Sequence, residues 1–141
     1  MKPSTKKFSQ THYSENDSAA LMLIYWLRLK GYEAIRNPDR YGIDVLSNWD
    51  SPDTGVEVEV KHNWHGPEFP FKTIHYAARK FKFLEGNQLV RFVTFNHERS
   101  HILVVDGKEF KKIVTKSTKY TDDESFYEIP FESCKIISLE E

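Results

Sequence analysis

The spacing of apolar side chains along the chain predicts one long helix followed by a series of short strands. Residues 20–27 are apolar, Ser14 is suited to cap a helix that contains them, and Gly31 is suited to end it. This pattern predicts a helix of about four turns. Beyond it, β-branched and aromatic runs bounded by turn residues predict strands at 32–35, 43–46, 56–61, 88–95, 101–105, 126–129 and 135–138.

The segments between the later strands are predicted to be loops and short helices. Residues 67–86 should form a loop with a short helix around 73–84, and residues 107–114 a second short helix. The polar stretch 115–125 is expected to be a surface loop.

The composition is that of one folded domain. The 141 residues are 39% hydrophobic, 29% charged and 14% aromatic, so residues 14–141 are expected to form a single domain behind a flexible N-terminal arm, residues 1–13. Cys134 is the single cysteine, and no signal-like or membrane-length apolar run is present, which predicts a cytoplasmic protein without a membrane span. Because the net charge is -1, contact with nucleic acid would depend on local basic patches.

One predicted strand carries the residues with the clearest chemistry. Within residues 56–61, Glu57, Glu59 and Lys61 alternate with valines, so the charged side chains share one face of the strand and the valines share the other. The same alternation is typical of the solvent-facing side of an edge strand, so this pattern alone leaves both interpretations open.

Asp44 gives the charged face a functional interpretation. It lies in a mostly apolar strand that a short polar turn joins to the next, and an antiparallel hairpin would bring it beside Glu59. Adjacent carboxylates repel each other unless a cation lies between them, and oxygen ligands suit Mg²⁺ or Mn²⁺. Lys61, about 6 to 7 Å further along the strand, would be close enough to position an attacking water.

The order helix, strand, Asp44, hairpin, Glu59 and Lys61 resembles the PD-(D/E)XK nuclease superfamily. Within that superfamily the pattern is most similar to archaeal Holliday-junction resolvases and to small phage or restriction-type endonucleases. The resemblance implies a restriction-endonuclease-like α/β fold, a single domain with a central mixed β-sheet flanked by helices. It also implies that Asp44 and Glu59 bind Mg²⁺ or Mn²⁺ and that Lys61 assists the attacking water, which makes these three the predicted catalytic residues.

The resemblance further implies a metal ligand from the first helix. Glu15 and Asp17 are the candidates, although both lie about one turn earlier than the family pattern and are suited to helix capping. Glu57 stands where the family usually has an apolar residue, and it is a candidate for an extra metal ligand or for a charged residue at the rim of the site.

A basic and aromatic segment is the candidate DNA-binding surface. Residues 71–83 mix cations with aromatic side chains, which suits phosphates and bases, although an amphipathic helix with a solvated basic face would show the same pattern. His62 and His65 follow Lys61 and could line the same cleft or, as a His-x-x-His pair, bind zinc. The predicted DNA-binding residues are Lys72, Arg79, Lys80, Lys82, His62 and His65.

These expectations describe a metal-dependent endonuclease that hydrolyses phosphodiester bonds in DNA, including branched or structured DNA. Many small nucleases of this superfamily pair up, so the resemblance also predicts a homodimer. Two alternatives stay open. One is a catalytically inactive nucleic-acid-binding or assembly module on the same fold, which would bind without cleaving, and the other is an unrelated interaction module in which the strand charges are incidental.

Overall fold

The helix predicted from the apolar pattern begins earlier than that pattern indicates. A computed structural model describes residues 10–86, 88–116 and 124–140, and in it the helix α1 spans Gln10–Leu29. The last four residues of the predicted arm therefore belong to α1, whereas residues 1–9 lie outside the described residues. Gly31 follows the helix at a φ of 96°, a conformation that suits glycine because it has no Cβ. Across the described stretches, no helix combines the length and hydropathy needed to cross a membrane.

Nine strands form two sheets within the described residues. Their bounds are Ala34–Arg36 (β1), Val45–Ser47 (β2), Thr54–Val60 (β3), Thr73–Ala77 (β4), Leu89–Phe95 (β5), His101–Asp106 (β6), Lys112–Lys116 (β7), Glu124–Pro130 (β8) and Lys135–Ser138 (β9). The larger sheet has the order β1-β2-β3-β5-β6-β9 and the smaller one the order β4-β8-β7. β3 and β5 are parallel and the other neighbouring strands are antiparallel, so the predicted mixed sheet is confirmed.

Different layers cover the two faces of the six-stranded sheet. On one face α1 packs its buried side, including Leu23, against residues of β3 such as Val58. On the other face the three-stranded sheet packs Tyr76 against Phe92, with the ring centroids 4.9 Å apart. The prediction of a sheet flanked by helices is therefore right for one face and wrong for the other, where strands form the cover.

The connection between β3 and β5 differs from its prediction. A short helix is expected around 73–84, but the chain forms β4 there and then a 3₁₀ helix at Ala78–Leu84. Ile74 and Tyr76 are buried while their neighbours Thr73 and His75 are only half-buried, which is the period-two pattern of a strand. β4 pairs with β8 at the edge of the three-stranded sheet, so tertiary contacts override the helical interpretation.

The second predicted short helix, at 107–114, is also replaced by a strand. Gly107–Glu109 forms a single 3₁₀ turn, and β7 then pairs with β8. Ile113 and Val114 are β-branched, which favours the strand. Of the loop predicted at 115–125, residues 117–123 lie outside the described residues, and the flanking residues belong to β7 and β8.

Candidate functional site

Asp44 lies immediately before β2 and beside the central strand β3. Its Oδ2 accepts a hydrogen bond of 2.8 Å from the backbone N–H of Val58, and its Oδ1 lies 3.4 Å from Nη1 of Arg36. The register of β2 on β3, continued by one residue, places Asp44 opposite Glu57. The antiparallel hairpin predicted from the sequence is present, but the residue across it from Asp44 is Glu57 rather than Glu59.

Glu57 and Glu59 project from β3 toward the three-stranded sheet, where a lysine meets them. Lys80 extends from the 3₁₀ helix Ala78–Leu84, and its Nζ lies 2.5 Å from Oε2 of Glu57 and 3.8 Å from Oε1 of Glu59. The exposed fraction is 17% for the side chain of Lys80, 9% for Glu57 and 35% for Glu59. We call Asp44, Glu57 and Glu59 the acidic cluster. Lys80 is the cation that the fold places against it.

The acidic cluster places three carboxylates close together, with Lys80 and Arg36 in contact with them. Burial raises the pKa of Glu57 from 4.5 to about 7; Lys80 opposes this shift, and Asp44 adds to it by its charge and as an acceptor for the proton. Burial alone would lower the pKa of Lys80, but Glu59, Glu57 and Asp44 outweigh it and the pKa is raised. Oε1 of Glu57 is buried and meets no hydrogen-bond donor among the described residues. A proton or an additional cation would therefore be stabilised at this oxygen.

The two acidic residues predicted from the first helix contact different side chains. Asp17 lies 2.6 Å from Nη2 of Arg36, whose Nη1 also donates a hydrogen bond of 2.8 Å to the backbone carbonyl of Asp44. Glu15 lies 2.6 Å from Nε2 of His62. Asp17 is thus linked to the acidic cluster through Arg36, which the sequence interpretation missed. Arg36 directly follows the strand predicted at 32–35, and the antiparallel pairing of β1 with β2 brings it beside Asp44.

Lys61 directly follows β3 and keeps the alternation of the charged residues. Its backbone N–H donates a hydrogen bond of 2.9 Å to the carbonyl of Phe95. Its Nζ lies 4.9 Å from the ring centroid of Phe71, so the ammonium is placed against an aromatic face. Phe71 contacts Phe69, which belongs to the core on the side of the three-stranded sheet. Lys61 therefore lies on the same side of β3 as the glutamates of the acidic cluster.

Three imidazole rings lie close together beyond the end of β3. Nδ1 of His65 lies 3.0 Å from Oε2 of Glu98, and the ring centroid of His97 lies 5.8 Å from that of His62 and 4.6 Å from that of His65. The sequence interpretation included His62 and His65 but missed His97. No local signal could have found it, because only the parallel pairing of β3 with β5 brings the two strand ends together.

The other predicted DNA-binding residues lie on or near β4 and the 3₁₀ helix Ala78–Leu84. The side chains of Lys72 and Lys82 are exposed, and Nη1 of Arg79 lies 2.7 Å from Oε2 of Glu124. Lys80 differs from these residues because its ammonium is directed inward, to the acidic cluster.

The acidic cluster has the chemistry of a site for a hard divalent cation, in a closed arrangement. Its metal-ligating atoms would be carboxylate oxygens, which suit Mg²⁺ or Mn²⁺. One of them, Oε1 of Glu57, is buried and accepts no hydrogen bond from the described residues. In residues 10–86, 88–116 and 124–140, no three His, Cys, Asp or Glu side chains are arranged to hold a metal ion. The residues fit a divalent cation by their chemistry, but two of the three carboxylates contact the ammonium of Lys80.

Comparison with known proteins gives no information on the role of the acidic cluster. No protein-family model matches the chain, and no curated protein matches its sequence. The resemblance to PD-(D/E)XK nucleases therefore rests on the order of the elements and on Asp44, Glu59 and Lys61.

Proposed function

We propose that the protein is a metal-dependent endonuclease that hydrolyses phosphodiester bonds in DNA, with branched or structured DNA among its substrates. The observation that carries this proposal is the acidic cluster itself. Three carboxylates gather on and beside the central strand of a mixed sheet, and Lys80 and Arg36 are cations of the described residues that contact them. The buried Oε1 of Glu57, beside the partly exposed carboxylates of Asp44 and Glu59, would favour the binding of a further cation.

The three carboxylates of the acidic cluster would be the ligands of that cation. Asp44 and Glu59 would bind Mg²⁺ or Mn²⁺, and Glu57 would join them through its buried Oε1. When bound, such an ion lowers the pKa of a coordinated water and polarises a phosphate. Arg36 and the N–H of Val58 orient the carboxylate of Asp44, so its position does not depend on the ion.

Lys61 would act on the water and the phosphate rather than on the cation. It lies on the same side of β3 as Glu57 and Glu59, and its ammonium would stabilise the charge that develops on the phosphate during attack. In its present position the ammonium lies against the ring of Phe71, at the edge of the core on the side of the three-stranded sheet.

DNA would approach over the 3₁₀ helix Ala78–Leu84 and the histidines beyond β3. Lys72, Arg79 and Lys82 would contact phosphates, and the rings of His62 and His65 would form a rim, joined by His97. Pairing of two copies as a homodimer stays a prediction from the resemblance.

The proposal is tested by incubating linear, nicked, forked and four-way-junction DNA with the protein in Mg²⁺ or Mn²⁺. Asp44→Asn, Glu59→Gln and Lys61→Ala should each lower the cleavage rate by about a hundredfold or more, because each removes a charge that acts in the transition state. Glu33→Gln changes an exposed carboxylate outside the cluster and should cleave at the wild-type rate. Cleavage that persists unchanged in all three variants would exclude this site.

A second candidate function is favoured by the position of Lys80. Because its ammonium already contacts Glu57 and Glu59, the same fold could serve as a nucleic-acid-binding module without turnover. That module would bind the DNA panel in EDTA and in Mg²⁺ with equal affinity and leave every substrate intact. An endonuclease would cut at least one of the substrates when the metal is present.

A further inference from the structure

Lys80 differs in orientation from the cations next to it on the same 3₁₀ helix. Arg79 contacts Glu124 of β8, and Nζ of Lys82 lies 3.4 Å from the backbone carbonyl of Tyr41. Both side chains are near the surface. Lys80 alone among these three is directed into the acidic cluster, so its position is specific to the site rather than a general feature of the basic segment.

The contacts of Lys80 use the oxygen atoms that a divalent cation would need. Its Nζ lies 2.5 Å from Oε2 of Glu57 and 3.8 Å from Oε1 of Glu59. Carboxylate ligands of Mg²⁺ lie about 2.1 Å from the ion. An ammonium and a divalent ion that shared the two glutamates would be only a few ångströms apart, and their like charges would repel strongly in this largely buried setting.

We propose that Lys80 and the divalent cation compete for the acidic cluster, so that Lys80 holds Glu57 and Glu59 in the metal-free protein and leaves them when the metal binds. This inference rests on the proposed function, because it assigns a cation to the same cluster. It makes Lys80 a positioning residue that keeps the carboxylates together before the metal arrives. Because Lys80 must leave before the metal binds, the apparent affinity for the metal is weaker than it would be without Lys80.

The first test measures Mn²⁺ affinity by calorimetry, without any DNA or turnover. Lys80→Met should bind Mn²⁺ about tenfold more tightly than the wild type, since the competing charge is removed and couplings between two ligands of one site commonly reach this size. Lys108→Met removes an exposed lysine elsewhere and should bind Mn²⁺ as the wild type does.

A second pair of variants keeps the test valid if Lys80→Met fails to fold. Glu57→Gln removes the buried charge while Asp44 and Glu59 remain, and the double variant Glu57→Gln/Lys80→Met lacks both members of the closest contact. The double variant should bind Mn²⁺ more tightly than Glu57→Gln alone. Equal affinities within each of the two pairs would overturn the inference while leaving the metal site in place.

The native protein offers an independent readout through the reactivity of its lysines. In the absence of metal, Lys80 should react slowly with an amine-acetylating reagent because it is largely buried, whereas the exposed Lys82 should react readily. Saturating Mn²⁺ should increase acetylation of Lys80 several-fold and leave Lys82 unchanged, as measured by peptide mass spectrometry. Bound Mn²⁺ with unchanged acetylation of Lys80 would contradict the displacement.

The failure of the inference and the failure of the proposed function give different results. If the wild type binds no Mn²⁺ but the variants that lack Lys80 do, the competition is complete and the inference is supported. If neither the wild type nor any variant lacking Lys80 binds Mn²⁺, the metal site itself is absent. That result overturns the proposed nuclease and the inference together.

Discussion

Two groups of charged residues lie on opposite faces of the six-stranded sheet, and they satisfy their charges in different ways. On the helix side, Arg91 lies 2.8 Å from Asp50 and 2.9 Å from Asp106, and its guanidinium carbon is 4.6 Å from the ring centroid of Trp49. We call these residues the Arg91 cluster. They border a cleft of about 350 Å³. One guanidinium thus reaches two carboxylates and an aromatic face at once, which suits the planar fork of arginine.

The acidic cluster is not satisfied in this way. Arg36 contacts Asp44, but the two glutamates share the single ammonium of Lys80. Oε1 of Glu57 meets no donor within the described part of the chain, and the pKa of Glu57 is raised to about 7 mainly by burial. In the Arg91 cluster the hydrogen bond from Arg91 lowers the pKa of Asp50 instead. In the Arg91 cluster both carboxylates contact the guanidinium, whereas in the acidic cluster one buried oxygen of Glu57 has no donor among the described residues.

The largest expected effect is the loss of stability when Lys80 is removed from the acidic cluster. Lys80→Met would leave Glu57 buried without its closest partner, and breaking a buried ion pair commonly costs about 3–5 kcal/mol in the free energy of unfolding. Urea denaturation at pH 8 without added metal measures this loss. Lys108→Met should stay within about 0.5 kcal/mol of the wild type, as is usual for surface substitutions.

The double variant shows whether the loss belongs to the ion pair. Glu57→Gln/Lys80→Met has no buried carboxylate at this position and should recover most of the stability that Lys80→Met loses. If the single and double variants were equally unstable, the cost would come from the packing of the lysine stem rather than from its charge.

The second prediction concerns how stability depends on pH. Because the pKa of Glu57 is raised from 4.5 to about 7 in the folded protein, its protonation stabilises the fold; that contribution is complete below pH 4.5 and is lost as the pH rises to about 7. The size of this effect is roughly 3 kcal/mol. Glu57→Gln should lack this part of the slope when unfolding is measured between pH 4.5 and 8.

A matched surface variant separates Glu57 from the other carboxylates. Glu33→Gln removes an exposed charge and keeps Glu57, so its stability should follow the wild-type pH curve over this range. If Glu57→Gln kept the full wild-type slope, the raised pKa would have to belong to a different group.

The elements around the acidic cluster could be predicted where a local period fixes them. The apolar spacing of α1 and the alternation of Glu57, Glu59 and Lys61 both depend on neighbours along the chain, and the structure reproduces both. The pairing partner of Asp44 depended on the length of the turn between the two strands. Because β2 ends opposite the start of β3, Asp44 lies across from Glu57. Glu57 is on the same face of β3 as the predicted partner, Glu59, but two residues before it.

Lys80 could not be placed from the sequence because its environment is built by distant residues. The local pattern of cations at Arg79, Lys80 and Lys82 indicates an exposed basic face. The sequence predicts a short helix around 73–84, whereas the chain forms β4 and then a 3₁₀ helix there. Only the pairing of β4 with β8 and the return of the chain to β5 bring the 3₁₀ helix over β3. His97 was missed for the same reason, since it approaches His62 and His65 across two parallel strands.

The smallest expected effect concerns the Arg91 cluster. Arg91→Met should lower the free energy of unfolding by about 1–2 kcal/mol at pH 7, which is less than for Lys80→Met. Asp50 is 49% exposed and Asp106 is 29% exposed, so water screens both ion pairs.

The pKa of Asp50 is lowered by Arg91 in the folded state, so its stabilising contribution is present above pH 3.8 and is lost as the pH falls below that value. The cost of Arg91→Met should therefore shrink on acidification to pH 3, as followed by urea denaturation. Lys108→Met changes an exposed lysine beside the same cleft and should show little cost at either pH. A cost of Arg91→Met that equalled that of Lys80→Met and stayed constant down to pH 3 would mean that the two clusters do not differ as described, and that packing of Arg91 on Trp49 dominates its role.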